Sequence, residues 1–286
     1  MTEAERVPPG VDHLTPSAAR LYDYYLGGTN NFQVDRDAAE RMRTLMPELS
    51  DAAWANRGFH QRAARWIAER GVRQFIDIGS GLPTTGNTHD AVQKVNPGAR
   101  VVYVDNDPMV AAHARELLAG DGSTGFILAD LRDPDSVLGH PELLGHIDLG
   151  EPAGLLMTSV VHFVADGSDP WGLVARYLAA MAPGSYLALS HATMDRLPPR
   201  MVEAGLEMYA RAAEPLYPRS RAQVELFFDG LELVPPYEGA QDAVGYVGSW
   251  GAENPEAAQS DGITGALLRG RQAALRPVPP AGRRPR

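Results

Sequence analysis

Residues 74–108 constrain this chain more than any other stretch. The apolar run Gln74-Phe75-Ile76-Asp77-Ile78 passes into the turn Gly79-Ser80-Gly81-Leu82-Pro83, and Val101-Val102-Tyr103-Val104 follows, ending on Asp105. Short apolar runs closed by turn residues read as buried strands, and two of them joined by a helix-length segment describe half of an open α/β sheet with a crevice at its carboxyl edge. A chain that leaves a strand and turns beneath a ligand needs positive φ and no Cβ, which Gly79 and Gly81 supply. Asp105, closing the neighbouring strand, is placed to accept hydrogen bonds from both hydroxyls of a ribose.

The turn also excludes something. A dinucleotide fingerprint continues to a third glycine that opens a helix beneath a pyrophosphate, whereas here Pro83 and Thr84 follow. An adenosine ligand without phosphate fits better, and S-adenosylmethionine (SAM) is the commonest such cofactor. A third run, Gly125-Phe126-Ile127-Leu128-Ala129, ends on Asp130, expected to accept from the amine of adenine. Asp77, Asp105 and Asp130 would then share one sheet edge. Strand-end aspartates also cap helices, but three in register favour binding. Asn106, Leu131 and Ser159 complete the cofactor set expected at these strand ends.

The formal net charge is −10, and of 26 basic residues all but Lys94 are arginine. An acidic chain is a poor partner for nucleic acid, so a small-molecule substrate is expected. With no cysteine, disulfides, thiolate chemistry and cysteine-ligated zinc are excluded, and the eight histidines form no metal motif. No stretch reaches the roughly 20 apolar residues that span a bilayer, and the charged N-terminus has no signal region, so a cytoplasmic protein is expected.

The pattern predicts a disordered N-terminus over 1–14, a helical segment over 15–70, an α/β core over 71–270 and a disordered Pro/Arg tail over 271–286. Helices are expected to start at Thr15-Pro16, at Asp35 and near Asp51. Strands are expected at 73–78, 100–105, 124–129, 153–159, 185–191, 231–234 and 263–269, with helices at 87–95, 108–119, 168–182, 198–214 and 221–228.

Several motifs in order along the chain resemble one family. The run Ser17 to Phe32, the triplet Ala55-Asn56-Arg57 and the turn Asp77 to Asn87 look like the S-adenosyl methyltransferase family abundant in actinomycetes. So do Tyr103 to Pro108, Ala129 to Pro134, Val161 to Val164 and Leu189 to Thr193. The resemblance implies a Rossmann-like class I methyltransferase sheet of seven strands in the order 3-2-1-4-5-7-6, the seventh antiparallel, with the N-terminal helices as a lid over SAM. It leaves the acceptor open, with a secondary metabolite as one expectation. Residues 242–262 are longer and more polar than that pattern.

Methyl transfer is an in-line displacement, so positioning the acceptor is expected to matter most, with a base for an O or N acceptor. His162, just beyond the fourth strand, is the first candidate base; a structural histidine is the alternative. His191, closing the fifth strand, is expected to be structural. Within the implied lid, Arg57 is placed to pair with the methionine carboxylate and Tyr22 or Tyr25 to cover the sulfonium, helix packing being the alternative for the tyrosines. Asn30 and Asn31 belong to the same segment. Met194, Met201 and Met208 recur at sevens and are expected to pack in the core. The competing readings are a non-catalytic SAM-binding regulator and a nicotinamide-dependent oxidoreductase.

Overall fold

A computed structural model describes residues 7–84, 86–118, 120, 122–193, 203, 207, 214–235, 244–253 and 271–273. The strands are β1 (Gln74–Ile78), β2 (Arg100–Asp105), β3 (Thr124–Leu128), β4 (Gly154–Thr158), β5 (Tyr186–His191), β6 (Gly245–Tyr246) and β7 (Arg271–Ala273). They form one sheet in the order β3-β2-β1-β4-β5-β7-β6, parallel through the first five and antiparallel where β7 pairs with β5 and β6. The fold is thus an α/β Rossmann-like methyltransferase fold whose parallel sheet is built largely by β1 to β5.

Parity along the strands decides which side chains meet, because successive residues point to opposite faces. Ile76, Ile78, Val102, Val104, Leu155, Met157, Leu187 and Leu189 pack on one face with Leu173, Val174 and Tyr177 of a later helix. Phe75, Val101, Tyr103, Leu156 and Ala188 pack on the other against Phe59, Ala63 and Ile67. That second cover is α3 (Leu49–Glu69), which follows α1 (Ala18–Tyr25) and α2 (Gln33–Leu45). At 21 residues α3 is about 30 Å long, against about 17 Å for a five-residue strand, so it overhangs the sheet edge.

The remaining helices are α4 (Thr88–Gln93), α5 (Pro108–Leu117), α6 (Pro134–Leu138), α7 (Pro141–His146), α8 (Pro170–Ala179) and α9 (Arg221–Glu225), the last continuing as a 3-10 turn over Leu226–Phe228. Neither α6 nor α7 is anticipated from periodicity, which five or six residues cannot display. Each does carry a cap, Asp133 or His140, followed by proline.

Four expectations need correction, and others fall on residues the structure does not describe. Residues 7–14 are placed rather than disordered: Val11 is buried with Phe32, Leu82, Met109 and Val110. The first helix is capped by Ser17, not Thr15, because the Ser17 hydroxyl accepts from the Arg20 amide. Residues 231–234 form no strand, and β6 lies later, at Gly245–Tyr246. The start of the expected tail supplies β7. The expected strand 263–269, most of the helix 198–214, and Met194, Met201 and Met208 lie outside the described residues. Among the described residues no helix is long and apolar enough to cross a membrane.

Candidate active site

A cavity of about 340 Å³ opens at the carboxyl edge of β1, β2 and β4, beneath α1 and the overhanging end of α3. That is within the range of about 300–1,000 Å³ typical of small-molecule sites. It is lined by Tyr22, Tyr25, Arg57, Gly79, Gly81, Asp105, Asn106, Asp130, Leu131, Ser159 and His162, so eleven residues singled out in the sequence converge. Asp77 does not line it. Its place in β1 shares parity with Phe75, so the carboxylate faces α3 and α4 and accepts from Thr88 Oγ1 at 2.5 Å.

The floor is built for close approach. Gly79 (φ +69°) and Gly81 (φ +67°) both have left-handed backbone. A Cβ on Gly79 would stand 2.2 Å from Val160 Cγ2, while one on Gly81 would project into open space. Asp105 receives the Gly81 amide on Oδ2 (2.8 Å) and the Asp107 amide on Oδ1 (3.0 Å). Burial pushes its carboxyl up to about 6 against those stabilising bonds. Arg57 donates from Nη2 to Gly86 O at 2.9 Å, but its buried Nε has no partner. Asp105 is thus an acceptor suited to hydroxyl groups, and Arg57 a donor suited to an anion.

Ser159 adopts φ +55°, an uncommon conformation for a residue with a Cβ. Its amide is held by Ser190 through both O (3.2 Å) and Oγ (2.9 Å). Ser190 Oγ donates to Asn56 Oδ1 (2.5 Å), Asn56 Nδ2 to Tyr22 OH (2.9 Å), and Tyr22 OH to Ala53 O (3.0 Å). The Tyr22 hydroxyl therefore ties α1 to α3, and what it offers the cavity is its ring. Asp130 is gripped by Arg132, whose Nε and Nη2 both donate to it. That leaves fewer lone pairs for adenine than expected.

The histidines divide by what their ring nitrogens do. His162 Nδ1 accepts from the Ala192 amide (3.1 Å), which fixes the ring proton on Nε2. Burial, with His191 and Arg219 nearby, holds its pKa well below the usual histidine value. In this tautomer His162 is a donor rather than a base. His191 is fully buried; its Nδ1 donates to Ala192 O (2.7 Å), its Nε2 accepts from Arg219 Nη1 (2.8 Å), and burial lowers it to about 3.

Asn30 and Asn31 do not line the cavity. The Asn30 amide and Asn31 Nδ2 both donate to buried Asp23 Oδ2, closing the loop after α1. Asn56, picked out in the sequence only within the Ala55-Asn56-Arg57 triplet, and His60, not anticipated there at all, also line the cavity; their signal was two polar residues four apart within a largely apolar stripe of α3. Gly10 and Asp12, from the stretch expected to be disordered, also line the cavity. No grouping among the described residues could hold a metal ion.

Known proteins share this fold. A structure of a DUF574 family protein from Streptomyces avermitilis is 39% identical, with TM-score 0.83 over 94% of this chain and 99% of that one. A Thermobifida fusca protein assigned provisionally to the methyltransferases is 36% identical, with TM-score 0.85 over 96% of this chain and 99% of that one. A comparison with curated proteins finds no match. The profile described as S-adenosyl methyltransferase matches residues 4–266. The chain belongs to the S-adenosyl methyltransferase family and is a methyltransferase that uses S-adenosyl-L-methionine.

Proposed function

We propose that this enzyme binds SAM across the β1 turn and transfers its methyl group to an oxygen or nitrogen of a small-molecule acceptor at the β4 end of the same cavity. The observation carrying the reading is that one cavity contains both Asp105, reaching the Gly79–Gly81 turn from β2, and Arg57, reaching the following loop from α3. Asp105 takes the ribose hydroxyls, Asn106, Asp130 and Leu131 flank the adenine, and Arg57 takes the carboxylate. Asp77 acts from below, through Thr88. The α1 segment over residues 15–26 is the cover, with the Tyr22 ring over the methyl-bearing end.

When bound, the cofactor supplies an electrophilic methyl group on a sulfonium with a neutral thioether to leave. The chain's own part is to hold the acceptor in line and exclude water. His162 serves this as a donor: Nε2–H orients the acceptor. To act as a base, the ring would have to exchange tautomers and leave the Ala192 amide unpaired, a loss of roughly 1–3 kcal/mol. Ser159, strained at the end of β4, turns the chain so that His162 follows it into the cavity.

Calorimetric titration with SAM, its demethylated product S-adenosylhomocysteine, and NAD tests the reading. Binding of both sulfur nucleosides without NAD is the expected result. Saturation at about 100 times Kd should also stabilise the fold by roughly 2.7 kcal/mol. NAD binding alone would overturn the placement of the ligand.

A further inference from the structure

His60 reaches the cavity wall from α3 and is buried between two hydroxyls. Its Nε2 lies 2.7 Å from Thr88 Oγ1 and its Nδ1 2.9 Å from Thr158 Oγ1. The proton on each bond can be assigned. A carboxylate only accepts, so Thr88 gives its single hydroxyl proton to Asp77 Oδ2 (2.5 Å). Thr88 Oγ1 then accepts from His60, which places the ring proton on Nε2. Burial lowers His60 to about 4 despite Asp77, whose Oδ2 is 3.6 Å away, so near neutrality Nδ1 is bare. Thr158 donates to it. The Thr158 oxygen is left as an acceptor, polarised by a chain of three hydrogen bonds that begins on a buried carboxylate.

Thr158 closes β4, on the opposite side of β1 from Asp105, and lines the same cavity as Arg57. With the ribose on Asp105 and the carboxylate on Arg57, the amino-acid part of the ligand crosses this side. We propose that Thr158 Oγ1 accepts a hydrogen bond from the α-ammonium group of the cofactor, and that His60 is the positioning residue that keeps the Thr158 hydroxyl turned to accept rather than donate. The proposal rests on the SAM-binding reading above.

The test compares two neutral thioethers on the full chain: S-adenosylhomocysteine, which carries the amino acid, and 5′-methylthioadenosine, which does not. Thr158→Val keeps the shape and removes the hydroxyl. It should weaken S-adenosylhomocysteine about tenfold, the size expected for a hydrogen bond to a charged group, and leave 5′-methylthioadenosine within twofold. His60→Leu should reproduce that selectivity. His60→Gln, which retains one donor and one acceptor, should restore most of the affinity. Equal weakening of both ligands, or none of either, in variants whose melting is unchanged would overturn the proposal by reducing the relay to packing. Failure of the wild-type chain to bind either thioether would instead overturn the underlying SAM reading.

Discussion

The two faces of the sheet reach the same carboxyl edge with opposite kinds of buried polarity. On the α3 face, Asp77, Thr88, His60 and Thr158 form a chain that ends on an oxygen at the cavity wall. On the other face, Arg219 closes on itself. It donates to Asp166 Oδ1, Val161 O, Val164 O and His191 Nε2, and lies 5.2 Å from the Trp171 ring centre. Both clusters are polar, buried and include a histidine, yet only one leaves an acceptor facing the cavity. A buried polar cluster marks a site where its hydrogen bonding is left open, and a strut where it is complete.

Arg219→Leu should break this contrast most severely. The guanidinium is 2% exposed and serves three acceptors that would be orphaned. Removing one side of such a buried network destabilises by roughly 3–5 kcal/mol. Urea denaturation should show that loss, and Asp166→Ala should lose less, because Asp166 is 59% exposed and water can replace it on the guanidinium. An Arg219→Leu variant as stable as the wild type would mean that Arg219 is not the strut described.

Asp105→Ala should do the reverse, abolishing function while sparing the fold. Losing two hydrogen bonds to a charged acceptor should weaken SAM by roughly 100-fold or more. Folding raises the Asp105 carboxyl to about 6, so the folded chain binds more protons than the unfolded one between about pH 4 and 6. Its contribution to stability is therefore lost as pH rises through that window. The alanine variant should accordingly lose less stability at pH 7.5 than at pH 4, because the raised carboxyl stabilises the fold only while protonated. The same titration makes SAM affinity fall about tenfold from pH 7 to pH 5 if only the carboxylate binds ribose. Proton release at pH 6, measured in buffers of different ionisation enthalpy, checks this.

His162→Ala is expected to lower kcat about tenfold while leaving the SAM Kd within twofold, because its Nε2–H addresses the acceptor and not the cofactor. The sharper readout is the pH–rate profile. A ring held well below the usual histidine range contributes no limb near pH 6.5. A limb there that disappears in the variant would restore His162 as the base.

The strands β1 to β5 were legible because strands buried on both faces read as unbroken apolar runs. Their strand-end carboxylates and the glycine turn were legible for the same reason, since a change from apolar to polar marks where a strand leaves the core. Parity was also available: Asp77 shares a face with Phe75, which is enough to turn it away from the cavity. Arg219 was not legible. Its partners lie 28 to 58 residues away, and nothing in its neighbourhood distinguishes it from the other arginines. The short β6 and β7 carry too few residues for any period.

The smallest expected effect bears on whether α1 covers the ligand or only packs beside it. Ser17 performs two tasks with one hydroxyl, accepting from the Arg20 amide as the α1 cap and donating to Asp107 Oδ2 at 2.8 Å, in the loop that follows Asp105. Ser17→Ala loses the cap, about 1 kcal/mol of helix stability, and releases α1 from that loop. If α1 closes over bound SAM, the loss should emerge as a dissociation rate faster by about fivefold, with association unchanged, because a cover acts mainly after the ligand has entered. Ser17→Thr, which keeps both hydrogen bonds, should return the wild-type rate. A lower melting temperature with unaltered dissociation would assign Ser17 to the strut side of the comparison, as a cap that holds a helix without guarding the site.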